Sequence, residues 1–359
     1  MLGLDLLLII PAGIPPHKAL PDGIPEAGQR LTMTITAFAE APNTVVSDIE
    51  INETSPNYTI DTIREIRRDH PDAEFFLLTG TDMFLSLETW RESEVLLNTV
   101  TPAVFSRNTG DGDRIKEYSL ILKKRYGSNV RVVETEVVEI SSSQVRQMLP
   151  LRKGAGYIAD TNYSYIIKHR LYGAKPDWDW LRGKAHLMLN PARIPHVDGC
   201  ETEVVKLACR WGVDIDDARE AAILHDITKR LTPEENLELL EAYGACTGQI
   251  GFAGEKLLHA KTGALLAKEE FGTSAAVSDA ILWHTTGKPC MSGLEKVLYL
   301  ADYIEPTRTF PGVEMLRELA YTDIDKAMMT GLEMSVSDIT ARGIIPDRTT
   351  IDALEYLKN

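Results

Sequence analysis

The chain has 359 residues, 44% of them hydrophobic and 25% charged, with a formal net charge of −15. That length suits two domains, each with a core of its own, and the composition excludes a disordered chain. The acidic balance argues against nucleic-acid partners, whose backbones are engaged through clustered Lys and Arg. It leaves small anionic substrates open wherever a metal or a local basic cluster outweighs it.

The opening MLGLDLLLIIPAG lacks a basic leader, and its apolar run is too short to span a bilayer, so no membrane partner is expected. It reads as a buried parallel strand ending at Pro11. Further strands are predicted at Thr44 to Asp48, Glu74 to Thr79, Thr101 to Ser106 and Val130 to Val133. Helices intervene, notably Thr59 to Asp69 and Ile115 to Tyr126. This alternation predicts an α/β layer on a mostly parallel sheet. Gly173 to Asp179, with Pro176 among polar neighbours, marks a boundary. The expected domains are 1–175 and 184–359.

Beyond that boundary the strand pattern stops. Glu201 to Trp211, Ala218 to Lys229, Pro233 to Tyr243, Glu255 to Phe271, Ala275 to Trp283, Leu294 to Ile304, Val313 to Ala320 and Ile324 to Ala341 all read as helices. Gly212, Gly244, Gly272 and Gly287 stand where helices end. The second domain is therefore expected to be all-α. Cys200, Cys209, Cys246 and Cys290 have no paired spacing and read as reduced thiols of a cytoplasmic protein.

The second domain holds five of the eight His residues. His225 extends a small apolar stripe through Ala221 and Ala222, with Asp226 as its neighbour. His284 completes Val277, Ala280 and Ile281 at helical spacing. Asp302 lies among Leu298, Leu300, Ala301 and Ile304, where a carboxylate is costly to bury unless paired or metal-bound. His196 opens the helix whose stripe runs Val197, Cys200, Val204, Ala208, Trp211. Singly, an inward His is more often a hydrogen-bonded core residue. Together, His196, the His225–Asp226 pair and Asp302 make a mixed N/O ligand set suited to iron, manganese or another borderline divalent ion. Lys229 lies one turn past His225, and Arg308 follows Asp302 past Pro306. With His259, His284 and Thr285 they are placed to contact phosphoryl oxygens; alone, Lys229 and Arg308 read as solvated helix ends.

The pattern H…HD…D resembles that of the HD superfamily of phosphohydrolases. The strings AAILHDITK, ILWHTTGKPCMSGLEKVLYLADYIEPTR and GIIPDRTTIDALEYL are similar to those of its YqeK family, over roughly Lys184 to Asn359. The resemblance implies an all-α helical bundle and symmetrical hydrolysis of diadenosine tetraphosphate to two ADP, with bound iron. It implies metal ligation by His196, His225, Asp226 and Asp302. Nucleotide contacts are implied for His196, Lys229, His259, His284, Thr285, Arg308 and the loop Ile345, Pro346, Asp347, Arg348, Thr349, Thr350. Asp226, Lys229 and Arg308 carry the catalytic roles, Asp226 through the metal or through water. A homodimer is compatible with this reading. A sensing module without turnover competes with it, and the intact ligand set argues for turnover.

The N-terminal domain resembles the nicotinate-nucleotide adenylyltransferases through LLLIIPAGIPPHK, TSPNYTIDTIREI, FFLLTGTDMFLSLETW and ISSSQVR. This implies a doubly wound nucleotide-binding fold and a place in NAD biosynthesis. Ser141, Ser142 and Arg146 match a phosphate-binding motif at a helix N-terminus. Asp82 and Trp90 match substrate-side positions, and His17 and Lys18 the loop after the second strand. Read structurally, Ser141 to Ser143 is an N-cap run and Trp90 a core aromatic. In that family a first strand and Gly-rich turn carry two His that contact ATP phosphates. Met1 falls after the matching position, so an incomplete sheet is expected and adenylyl transfer by the chain as it stands is not. An in-frame upstream extension of about thirty residues, one strand–turn–helix unit, is the corresponding expectation.

Overall fold

The computed structural model describes residues 2–14, 23–51, 56–106, 108–134, 139–245 and 257–359. His17, Lys18 and Cys246 lie outside them, as does the start expected for the helix from Glu255. The chain forms two compact units, Met1–Tyr165 with Leu171–Gly173, and Ile166–Arg170 with Ala174–Asn359. No helix among the described residues is long and apolar enough to cross a membrane.

Unit 1 is α/β, with every described strand pairing parallel. Its strands are β1 (Leu7–Ile9), β2 (Thr44–Val46), β3 (Phe76–Gly80), β4 (Thr101–Phe105) and β5 (Arg131–Val133). Its helices are α1 (Ala27–Phe38), α2 (Thr59–Asp69), α3 (Thr81–Phe84), α4 (Ser93–Thr99), α5 (Gly112–Tyr126), α6 (Ser142–Met148) and α7 (Asp160–Lys168), the last turn of α7 belonging to unit 2. Parallel neighbours need a helical crossover: α1 joins β1 to β2, α3 and α4 join β3 to β4, and α5 joins β4 to β5. The ladder runs in two pieces, with Leu8 opposite Val45 in one and Leu78 opposite Ala103 in the other. β1, expected to be buried, is half-buried throughout. The core of this unit collects Phe84, Leu87, Leu97, Val104, Ile115 and Leu122.

Unit 2 is all-α: α8 (Trp178–Met188), α9 (Ile194–Trp211), α10 (Ile215–Leu224), α11 (Pro233–Ala242), α12 (Leu258–Phe271), α13 (Ala275–Trp283), α14 (Gly293–Ile304), α15 (Val313–Thr322), α16 (Ile324–Ala341) and α17 (Arg348–Lys358). Start signals are explicit. Thr232 and Ser292 each form a reciprocal capping box with a Glu three residues on, and Asp214, Ser274 and Asp323 cap with their side chains. Gly212, Gly244, Gly272 and Gly287 all take positive φ, as their helix-ending role requires. At Gly272 (φ 59) a Cβ would stand 2.5 Å from the carbonyl oxygen of Lys168, so only glycine fits. α9 packs against α10 and α14, and α13 against α12 and α14. Val204, Leu207, Ala221, Ile281, Leu298 and Ile304 form part of the shared core, to which α8 adds Leu181 and Ala185.

Two expectations are corrected here. The helix predicted to run through Lys229 ends at Leu224; the chain then tightens, with Lys229 N–H donating to Asp226 O (2.8 Å) and Leu231 N–H to Thr228 O (3.0 Å). The loop from Ile345 to Thr350 is a loop only to Asp347, which caps α17, so Arg348 to Thr350 form the first turn of that helix.

Candidate active site

Four imidazoles stand in a row inside unit 2. The ring centroids of His196 and His225 are 5.5 Å apart, those of His225 and His284 5.0 Å, and those of His284 and His259 5.3 Å. Their orientation is set by Nδ1. At the end of α10, His225 Nδ1 lies 2.7 Å from Ala222 O; at the end of α13, His284 Nδ1 lies 2.6 Å from Ile281 O. In both cases the N–H donates one turn back, which turns Nε2 toward the middle of the cluster. In the first turn of α9, His196 donates instead to a carboxylate, its Nδ1 3.0 Å from Glu305 Oε1.

These nitrogens converge on two aspartates. His196 Nε2 is 3.0 Å from Asp302 Oδ1 and 3.9 Å from Asp226 Oδ2, and His225 Nε2 is 3.5 Å from Asp226 Oδ2. His259 and His284 face the other oxygen, with Nε2 3.4 and 3.6 Å from Asp226 Oδ1. Ligand atoms of His196, His225 and Asp302 lie within 4.8 Å of one another, as do those of His225, Asp226 and His284. An ion bound at about 2.1 Å would separate adjacent ligand atoms by about 3 Å.

Burial makes this arrangement costly without an occupant. His196 Nε2, His225 Nε2 and Asp226 Oδ1 are all buried with no hydrogen-bond partner, and orphaned groups of this kind are expensive. Burial opposes charge on Asp226, yet His225 holds its pKa well below the usual carboxylate range. Burial likewise opposes charge on Asp302, and the neighbouring imidazole of His196 holds its pKa down. Burial pushes the thiol of nearby Cys200 up, so it stays protonated. The donors on offer are thus nitrogen and oxygen, which fits a borderline divalent ion.

A basic shell surrounds them. Lys229 Nζ lies 2.7 Å from His259 Nε2 and 3.9 Å from Asp226 Oδ1. Burial lowers the pKa of Lys229, against the pull of Asp226. Arg308 Nη2 donates to Asp302 Oδ1 at 2.8 Å. The Thr285 hydroxyl is buried without a partner. A cavity of about 790 Å³ opens here, lined by His284, Thr285, Asp302 and Arg308 among others. Among the described residues, the polar contacts of 345–350 are local: Asp347 caps α17, Arg348 pairs with Asp352 and Ile345 is 81% exposed. In unit 1, Ser141 is engaged as the N-cap of α6 and Arg146 donates to Ser143 Oγ. Asp82 is exposed in the first turn of α3, while Trp90 packs on the core and donates to Ser86 Oγ.

Two participants escaped the sequence reading. Arg193 grips Asp226 Oδ2 through Nε (2.6 Å) and Nη2 (2.5 Å) and lies 4.0 Å from Asp302 Oδ1. Its signal was its place three residues before His196, on the same face. Glu305 is fully buried; burial opposes its charge, but hydrogen bonds from Thr307 and His196 hold its pKa down. Gly199 makes room for it, since a Cβ there would meet Glu305 Oε2 at 2.6 Å. Glu305 follows Asp302 by three residues, and a buried carboxylate at that spacing was its only sign.

Residues 193–307 match the HD domain family. The chain is 39% identical over 173 residues to the protein of Halalkalibacterium halodurans named bis(5'-nucleosyl)-tetraphosphatase, symmetrical, covering 46% of this chain and 92% of that one. A protein of the same name from Bacillus subtilis is 39% identical over 146 residues, 40% of this chain and 78% of that one. The probable nicotinate-nucleotide adenylyltransferase of Symbiobacterium thermophilum is 32% identical over 189 residues, 51% of this chain and 85% of that one. The chain therefore belongs to the HD-domain hydrolases, in the family of these tetraphosphatases, and its N-terminal region is similar to the nicotinate-nucleotide adenylyltransferases.

Proposed function

We propose that unit 2 is a metal-dependent phosphohydrolase that cleaves diadenosine tetraphosphate, or a similar dinucleoside polyphosphate, symmetrically to two ADP. The observation that carries the reading is the convergence of orphaned buried atoms, His196 Nε2, His225 Nε2 and Asp226 Oδ1, beside Asp302. His196, His225, Asp226 and Asp302 would hold the ion, iron or manganese by ligand type. Such an ion supplies Lewis acidity and a water that ionises near neutral pH.

The chain's own residues do the rest. Glu305 and the carbonyls of Ala222 and Ile281 hold three imidazoles in the tautomer that presents Nε2. Lys229 and Arg308 place positive charge where phosphoryl oxygens gain negative charge in the transition state. His284 and Thr285 line the cavity beside Arg308, the Thr285 hydroxyl free to donate, and His259 stands beside Lys229. Arg193 offsets the charge of Asp226, which would bind the metal and could also orient the water.

The test is product analysis of purified protein with diadenosine tetraphosphate. ADP alone is expected, with loss of turnover on chelation and recovery on adding Fe²⁺ or Mn²⁺. ATP plus AMP would overturn symmetrical cleavage, and chelator-resistant turnover would overturn the metal. A second reading attaches to unit 1, where the likeness to the Symbiobacterium thermophilum protein favours adenylyl transfer. Incubation with nicotinate mononucleotide and ATP tests it.

A further inference from the structure

We propose that Thr228, Asn236 and Thr262 are positioning residues: their hydrogen-bonded network fixes His259 against Lys229 and so aims the Lys229 ammonium at substrate phosphate. The proposal rests on the phosphohydrolase reading and deepens it, by naming what holds one of its cations in place.

The three side chains are buried and come from three pieces of chain: Thr228 from the turn after α10, Asn236 from α11 and Thr262 from α12. Asn236 Nδ2 donates to Leu231 O (3.2 Å) and Thr232 O (2.9 Å), which turns its Oδ1 toward Thr262 as an acceptor. Thr262 Oγ1 lies 2.6 Å from that oxygen and 2.9 Å from Thr228 Oγ1. The Thr228 hydroxyl in turn donates to the carbonyl oxygen of His259 at 2.8 Å. A Cβ on Gly263 would stand 3.3 Å from His225 O and 3.4 Å from Thr228 Oγ1, so glycine lets α12 come this close. Buried networks whose members are satisfied hold one arrangement of the chain against its alternatives. This one ties the backbone of His259 to the residue next to Lys229. Lys229 needs such a tie, because its four-carbon stem is flexible and its head group offers only donors. His259 Nε2 takes one of them at 2.7 Å and lies 3.4 Å from Asp226 Oδ1. Any shift of α12 would move His259 and carry the ammonium out of line. Misplacements of about 1 Å suffice to slow a reaction severely.

The test measures binding of inorganic tripolyphosphate, by calorimetry, to the Mn²⁺-loaded full-length chain. Thr262→Val keeps the shape of the side chain and removes the hydroxyl. It should keep its metal content and bind tripolyphosphate about tenfold more weakly, the size of one charge-assisted hydrogen bond. Thr262→Ser, which retains the hydroxyl, should bind as the wild type does. The deciding arm is a double-variant cycle. In a Lys229→Ala background, adding Thr262→Val should cost nothing further, because the network acts through Lys229. A network that only stabilises the fold gives the same loss in both backgrounds, and that result would overturn the proposal. So would a folded Thr262→Val protein that melts earlier yet binds normally, or a wild type that does not bind tripolyphosphate. If Thr262→Val does not fold, Thr228→Val, which cuts the tie to His259 O, takes its place with the same expected pattern. Should that pattern appear while diadenosine tetraphosphate is not cleaved, the positioning role stands and the hydrolase reading falls. Cleavage to ADP with equal losses in both backgrounds gives the reverse outcome.

Discussion

At the scale of single residues the site divides into ligands, phosphate partners and positioning groups, and each class fails differently when altered. Asp302→Asn keeps the side-chain shape and removes a charge, so metal content and turnover should fall together; elemental analysis of the purified variant beside its kcat checks this. Lys229 stands 3.9 Å from Asp226 Oδ1, which places it outside the ligand shell. Lys229→Ala should retain full metal content while kcat/KM drops by about tenfold or more, the order expected for one lost charge-assisted contact in the transition state. Glu305 acts through His196. Replacing such a partner commonly weakens metal affinity by about 10–100-fold. Glu305→Gln should therefore shift metal titration curves by that factor, with kcat largely restored at saturating metal. A kcat loss that saturating metal does not restore would give Glu305 a direct part in the chemistry.

At the scale of elements, neighbouring helices are tied by polar clamps as well as by the apolar core. Arg170 pairs with Glu220 and donates to Phe271 O and Gly272 O, joining the segment after α7 to α10 and α12. Tyr243, at the end of α11, donates to Glu270 Oε1 at 2.7 Å, and Lys168 meets the same oxygen at 2.8 Å. The hydrogen bond to Glu270 pushes the Tyr243 phenol up to about 12. A raised acid pKa means that the fold favours the neutral phenol. The associated stabilisation is present in full below the unfolded value near 10 and is lost as pH rises through about 12. The ultraviolet titration of Glu270→Gln, compared with that of the wild type, should show one of the late phenols moved back toward 10. An unshifted curve in that variant would remove Glu270 as the cause.

At the scale of the whole molecule, the two units keep separate cores, and among the described residues the ligand candidates lie in unit 2. Residues 166–359 expressed alone should fold cooperatively and bind metal. A fragment starting at Lys184 should be less stable, because it discards Leu181, which is fully buried in the helical core. Losing one such side chain costs about 2–5 kcal/mol. Thermal melts of the two fragments side by side decide this: equal midpoints would show that residues 166–183, with the first half of α8, are dispensable.

Much of this was written in local pattern. Period and cap signals placed all five strands within about two residues, and two of the helices, Thr59–Asp69 and Ala275–Trp283, with their bounds intact. Those signals depend on near neighbours in the chain, which is why they survive without tertiary context. The inward bias of His196, His225, His284 and Asp302 was likewise local, a matter of helical stripes. Tertiary structure alone decided the rest. It brought α9, α10, α13 and α14 together so that residues more than a hundred positions apart, His196 and Glu305, share a hydrogen bond. It turned the chain after Leu224 so that Asp226 faces imidazoles on both sides. It also joined the 310 loop to α16 as the walls of one cavity. No window of sequence contains such contacts, because the free energy that selects them is the burial of many side chains at once.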